Sequence, residues 1–199
     1  MNGAGLHVMV DAAVWGALSK ATAGGRTAWS WNMVVADGTL AHHQVRALIT
    51  ENLARHHPHV AMPKDSGGPD LLEAARSVQE DLLLLRRDNS GWRLVAAALH
   101  FPSSWSLAEK FSLPLDQIHG NVPEFGPGTR NASLMGRIFD GLKVEQPVQR
   151  MNWSLYPTAT LHHPYSARSR EANPDRHTLD SASFIRVERQ TLRKLPDSG

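Results

Sequence analysis

Glu80-Asp81-Leu82-Leu83-Leu84-Leu85-Arg86-Arg87, then Asp88-Asn89-Ser90-Gly91, then Trp92-Arg93-Leu94-Val95-Ala96-Ala97-Ala98-Leu99-His100-Phe101 is the stretch that decides the fold. Two apolar runs separated by Asp, Asn, Ser and Gly read as a β-hairpin. Both runs are apolar at odd and even positions, so each predicted strand buries both of its faces. Such a hairpin belongs in the middle of a sheet with material packed on each side. The alanines at 96–98 leave room for a bulky neighbour to approach closely.

A second stretch, Ser183-Phe184-Ile185-Arg186-Val187-Glu188-Arg189-Gln190-Thr191-Leu192-Arg193-Lys194-Leu195-Pro196, reads as a strand with charge where core is expected. Alternation puts Phe184, Arg186, Glu188, Gln190 and Leu192 on one face and Ile185, Val187, Arg189, Thr191 and Arg193 on the other. Polar groups in mid-strand with apolar shoulders suit the lining of a site. A twisted edge strand with solvated charges, protected against aggregation, explains the same pattern. Pro196-Asp197-Ser198-Gly199 is turn chemistry, and the pattern reads as a hairpin whose last strand is missing.

Working outward, Leu40, Val45, Leu48, Ile49 and Leu53 recur at helical spacing from Thr39 to about His57, where Pro58 ends the helix. Asp70 is placed to cap a helix through about Arg76. Pro102 to Lys110 predicts a short helix with a serine cap, and Pro114 to His119 another short turn or helix. A helix over 129–142 is expected to turn Leu134, Ile138, Phe139 and Leu142 inward. Pro147 to Tyr156 predicts a strand with Met151, Trp153 and Leu155 on one face and Arg150, Asn152 and Ser154 on the other. Residues 157–182 form a long polar segment, of the kind that serves as a lid or a disordered insert. Residues 1–36, with Trp15, Trp29 and Trp31, are weakly patterned, so the domain is drawn over 37–199.

At 199 residues, 41% hydrophobic and 20% charged, the chain is long enough for one α+β domain with a real core. A formal charge of +2 and scattered basic residues give no nucleic-acid footprint. With no cysteine, disulfides, thiolate metal sites, iron–sulfur ligation and cysteine nucleophiles are excluded within the chain. No run of 18 apolar residues spans a membrane and no leader is visible, so a cytoplasmic protein is expected.

Eleven histidines raise the question of metal. There is no His-Glu-x-x-His, and the pairs 42–43, 56–57 and 162–163 are adjacent, pointing about 100° apart on a helix. His42, His43, His56, His57 and His59 read as solvated helix-end residues. His119 differs, since it follows Ile118 in a proline-flanked turn. The residues alone leave it open as a buried, hydrogen-bonded histidine or as the proximal ligand of a haem iron beside a large cavity. Arg150, Asn152 and Ser154 are placed to face Arg186, Glu188 and Gln190 across the sheet. No nucleophile elbow, phosphate loop or dinucleotide fingerprint is present.

Five blocks in order, Val78-Gln79-Glu80-Asp81-Leu82, Phe101-Pro102-Ser103-Ser104-Trp105-Ser106-Leu107-Ala108-Glu109-Lys110, Pro114-Leu115-Asp116-Gln117-Ile118-His119 with Val122-Pro123, Arg150-Met151-Asn152-Trp153-Ser154 and Arg186 to Pro196, resemble the alpha-subunit-like family of haem-dependent oxidative N-demethylases, of the dimethylamine-monooxygenase type. The resemblance covers roughly residues 40–199. It implies a PAS-like antiparallel sheet with flanking helices and a haem pocket. It implies oxidation of a small secondary or tertiary amine with O2, releasing formaldehyde, with electrons from NAD(P)H through a partner reductase carrying FMN and an iron–sulfur centre.

Carried onto this sequence, the resemblance makes His119 the axial iron ligand, with Arg150, Asn152 and Arg186 on the cofactor and Glu188 and Arg189 on the substrate side. Asn121 stands where the family has proline, and Asp197 where it usually has a basic residue. The family also continues into a further apolar strand beyond Gly199. Whether the chain acts as an enzyme therefore depends on how complete the fold is. A haem-binding sensor or carrier without turnover, and an inactive truncated paralogue, are the alternatives.

Overall fold

The computed structural model describes residues 6–13, 32–35, 39–60, 67–156, 159–163 and 184–196, with the backbone alone for 6–13, 32–35 and Thr39. The expectations for Trp15, Trp29, Trp31, most of the polar segment 157–182 and residues 197–199 lie outside the described residues. In chain order the elements are β1 (Leu6–Ala13), β2 (Asn32–Val35), α1 (Thr39–His56), α2 (Asp70–Ser77), β3 (Asp81–Asp88), β4 (Gly91–Leu99), α3 (Leu107–Lys110), α4 (Leu115–Ile118), α5 (Arg130–Asp140), β5 (Val148–Tyr156) and β6 (Phe184–Lys194).

The strands form one antiparallel sheet in the order β2-β4-β3-β1-β6-β5. The predicted hairpin is β3–β4, and it lies inside the sheet as its two-sided apolarity requires. Gly91, at φ 115°, closes the turn in a backbone region that side-chain-bearing residues avoid. Asp88 accepts hydrogen bonds there from the Ser90 N–H and hydroxyl and from Arg93 Nε, which hold its carboxyl at a pKa of about 2. A register shift beside Leu84 and Leu85 leaves Val95 unpaired, so Val95 and Ala96 both point to one side of the sheet.

Each face has its own helical cover. Ala41 and Val45 of α1 and Leu71, Ala74 and Ala75 of α2 pack on Leu82, Leu84, Val95, Ala96 and Ala98. On the opposite face Leu107, Leu115, Met135 and Phe139, from α3, α4 and α5, pack with Leu142 on Leu83, Leu85, Leu94, Ala97, Leu99 and Leu192. The alanines are what let the helices lie close to β4. Each fully buried leucine contributes roughly 1.5–3 kcal/mol relative to exposure.

Several expectations change. β1 and β2 lie in the weakly patterned segment, where Leu6, Val8 and Val10 alternate with His7, Met9 and Asp11. β6 runs between β1 and β5 and has no open edge, and the polar middle of one face, Arg186, Glu188 and Gln190, is buried, while Arg189 on the other face is exposed. α5 turns Met135 and Phe139 inward and leaves Leu134 and Ile138 exposed. The helix carries two apolar rows at i, i+4 spacing, and the row whose Phe139 ring lies 5.7 Å from the Trp92 ring forms the contact. In α1 the same rotation exposes Leu40 and buries His42. Asp70 is the first residue of α2 rather than its cap, which is Pro69, and its carboxylate accepts from Arg46 at 2.7 Å.

Candidate functional site

The site begins at α4. Pro114 pre-sets the entry to this single turn, and the Ile118 N–H donates back to the Pro114 carbonyl at 2.9 Å. Leu115 is buried in the core and anchors the turn, while His119 caps its end. The Leu115 carbonyl accepts from the backbone N–H of His119 at 3.3 Å and lies 2.8 Å from its ring Nδ1. A carbonyl can only accept, so Nδ1 carries the proton and Nε2 keeps its lone pair. The Phe125 ring lies 6.4 Å away, at 41°.

Burial pushes the imidazole below the ordinary histidine pKa, against the pull of the Leu115 hydrogen bond. The positive charges of Arg150 and Lys110 push it down further. The result is a neutral, oriented imidazole with two cations in electrostatic reach.

Arg150 links the turn to β5 and β6. The two strands pair with Arg150 opposite Gln190, Asn152 opposite Glu188 and Ser154 opposite Arg186, as expected from their alternation. Arg150 Nε donates to Gln190 Oε1 at 2.6 Å, which holds the guanidinium along this face. Asn152 is exposed, and its side-chain oxygen accepts from the Trp153 N–H at 3.0 Å.

Arg186 and Glu188 are buried and Nε lies 2.8 Å from Oε1, but out of hydrogen-bond alignment, so the contact is ionic. The terminal nitrogens of Arg186 donate to the carbonyls of Leu161 at 2.7 Å and Phe101 at 2.6 Å. Its guanidinium carbon also lies 5.7 Å from the centroid of the Tyr156 ring. Arg186 is thus held from several sides by partners within the protein.

Glu188 and Arg189 do not share a face. Successive strand residues point to opposite faces, and Arg189 lies exposed on the far side of the sheet. Sequence reasoning also missed the residues around Arg186. The hydroxyls of Ser103 and Ser104 each lie 2.8 Å from the Tyr156 hydroxyl, and Tyr156 stacks on His163 with centroids 4.4 Å apart. His163 and Ser103 form an isolated parallel bridge, and His162 Nδ1 lies 3.0 Å from the His100 carbonyl. Ser103 and Ser104 lie in the Phe101–Lys110 block that carries the family resemblance, which is the sequence signal pointing to them.

A cleft of about 200 Å³ is lined by Arg87, Trp92, Leu115, Gly128, Gly136 and Asp140, among others. It is smaller than the ~300–1,000 Å³ of ordinary ligand pockets, and His119 does not line it. The large cavity expected beside His119 is therefore not this cleft. Among the described residues, no three acidic or histidine side chains converge to cage a metal, and no helix is long and apolar enough to cross a membrane.

A neutral, oriented histidine is a side chain able to ligate a haem iron. A family described as haem-dependent oxidative N-demethylase, alpha subunit-like, matches residues 36–199. The chain belongs to this family. No curated relative matches it. Membership makes haem the implied cofactor, and His119 fits it on the donor atom, the protonation state and the surrounding charge.

Proposed function

We propose that the chain holds haem through His119 Nε2 and supports the oxidative N-demethylation of a small secondary or tertiary amine. Electrons would come from NAD(P)H through a reductase partner carrying FMN and an iron–sulfur centre. The observation that carries this reading is the Nδ1 contact to the Leu115 carbonyl, which presents an unprotonated Nε2. The haem, when bound, supplies the oxygen activation.

The chain's own residues bind and orient. Arg150, steadied by Gln190, and Lys110 would receive carboxylates of the cofactor. Asn152 and Glu188, opposite each other on paired strands, would bound the substrate side. In the overall change a methyl carbon leaves as formaldehyde with one oxygen atom of O2. The other oxygen goes to water with two electrons and two protons, and the amine keeps a hydrogen in place of the methyl.

One observation favours a second reading, a haem-holding module without turnover. Glu188, the acidic residue on the proposed substrate side, is already charge-paired with Arg186. The experiment is reconstitution with haem followed by amine-dependent oxygen uptake and formaldehyde release with a reductase and NAD(P)H. Stoichiometric formaldehyde supports the first reading. A Soret band with no uptake for any small amine supports the second, and absence of any Soret band removes both.

A further inference from the structure

Arg93 of β4 reaches from the hairpin to the loop that leads into α4. Its Nε donates to Asp88 Oδ2 at 2.9 Å, one terminal nitrogen donates to the Ser90 hydroxyl at 3.0 Å, and the other donates to the backbone carbonyl of Ser112. Ser112 has φ 64°, in the left-handed region where a side-chain-bearing residue is strained and stays only if its surroundings hold it. The backbone around it is stitched to the same strand. The Ser112 N–H donates to the Leu94 carbonyl at 3.0 Å and the Leu94 N–H to the Leu113 carbonyl at 3.2 Å, while Arg93 and Pro114 form an isolated antiparallel bridge. Pro114 and Leu115 then open the turn that ends at His119.

We infer that Arg93 is a positioning residue for His119: it holds Ser112 in its left-handed conformation and so fixes where the turn carrying the imidazole begins. This role rests on the proposed haem ligation by His119, while the brace itself is a property of the chain alone. The transmission is short. The guanidinium fixes the Ser112 carbonyl, Leu113 and Pro114 are held against β4, and the Leu115 carbonyl that follows is the acceptor that sets the imidazole. Arginine suits the task because its planar fork reaches several acceptors at once, whereas lysine presents a single point charge. The base of the brace is firm, since Asp88 has a pKa of about 2 and keeps its charge in neutral and mildly acid solution. Without the brace, Ser112 relaxes toward right-handed backbone and the Leu115 carbonyl moves off Nδ1.

The test reads the His119 ring nitrogens by NMR in the full-length chain without haem, at mildly alkaline pH where the ring is neutral. His119→Gln identifies its signals, and circular dichroism verifies the fold of every variant. Wild type should show the Nδ1–H form. Arg93→Met should raise the Nε2–H share about fivefold, the net worth of the Leu115 contact, and Arg93→Lys should raise it less. Arg93→Met combined with Ser112→Gly should restore the wild-type ring, because glycine takes the left-handed region without strain. A role for Arg93 in hairpin stability alone is not rescued at Ser112. A changed ring without rescue therefore overturns the inference, as does a ring unmoved by Arg93→Met or, if that variant does not fold, by Arg93→Lys. Haem loading separates the two failures. A wild type that takes up no haem while the ring follows the brace removes the ligation and leaves Arg93 positioning the imidazole. A Soret band that depends on His119, with a ring indifferent to Arg93, keeps the ligation and removes the brace.

Discussion

His119 Nδ1 lies 2.8 Å from the carbonyl oxygen of Leu115, four residues earlier on the same short turn. The contact spans one turn whose buried anchor is Leu115 itself, so the imidazole direction is fixed by core packing rather than by a flexible loop. Substituting the ring should leave the fold and remove the donor. Haem-reconstituted His119→Ala is therefore expected to lose or shift its Soret band and to regain it when imidazole is added. A spectrum identical to wild type would move the ligand elsewhere.

Arg186 and Glu188 are both buried, and removing one partner of such a pair leaves the other as an uncompensated charge. Arg186→Met is expected to cost about 3–5 kcal/mol in denaturant unfolding. Arg186→Met with Glu188→Gln should lose less, because the stranded carboxylate is gone while the Leu161 and Phe101 carbonyls still lack their donor. Equal losses in the two proteins would show that the backbone contacts, not the ion pair, carry the effect.

Burial pushes His42, His100 and His119 below the ordinary histidine pKa. Each binds its proton more readily unfolded than folded. The stability their neutral burial contributes is full above about pH 6.5 and is lost as the pH falls from there toward the lowered folded values. Thermal midpoints should therefore fall from neutral to mildly acid solution, and His42→Leu should flatten part of that fall. A midpoint that rises in acid would contradict the assignment.

Ala96 is fully buried beneath α1 and α2. Ala96→Leu adds three carbons where the helices already touch the sheet, an overpacking that costs about 1–3 kcal/mol. The measurement is the midpoint in urea, with Ser90→Ala at the exposed hairpin tip as a milder comparison.

What the sequence made legible was what alternation alone decides. The two-sided apolarity of β3 and β4, the two faces of β5 and the register of Arg150, Asn152 and Ser154 against Gln190, Glu188 and Arg186 all follow from a period of two. The choice between the Leu134–Ile138 and Met135–Phe139 rows of α5 needed Trp92, which lies far away in the chain. The burial of Arg186 likewise depends on two carbonyls, of Phe101 and Leu161, that no local pattern announces. Glu188 and Arg189 lie on opposite faces, as the alternation of that strand requires, whereas His119 is marked in the sequence by Ile118 and its proline-flanked turn.

β1 occupies the slot between β3 and β6, with His7 opposite Leu85 on one side and Lys194 on the other. The sheet is thus stitched together by partners from opposite ends of the described chain. During synthesis the greasy flank of Leu82 to Leu85 can find its hairpin mate at once, but β6 can add to β1 only after nearly all the intervening sequence has been made. Long-range pairing of this kind slows folding and leaves strand edges available to wrong partners in the meantime. Low temperature and slow expression should accordingly raise the yield of soluble protein more than any single stabilising substitution.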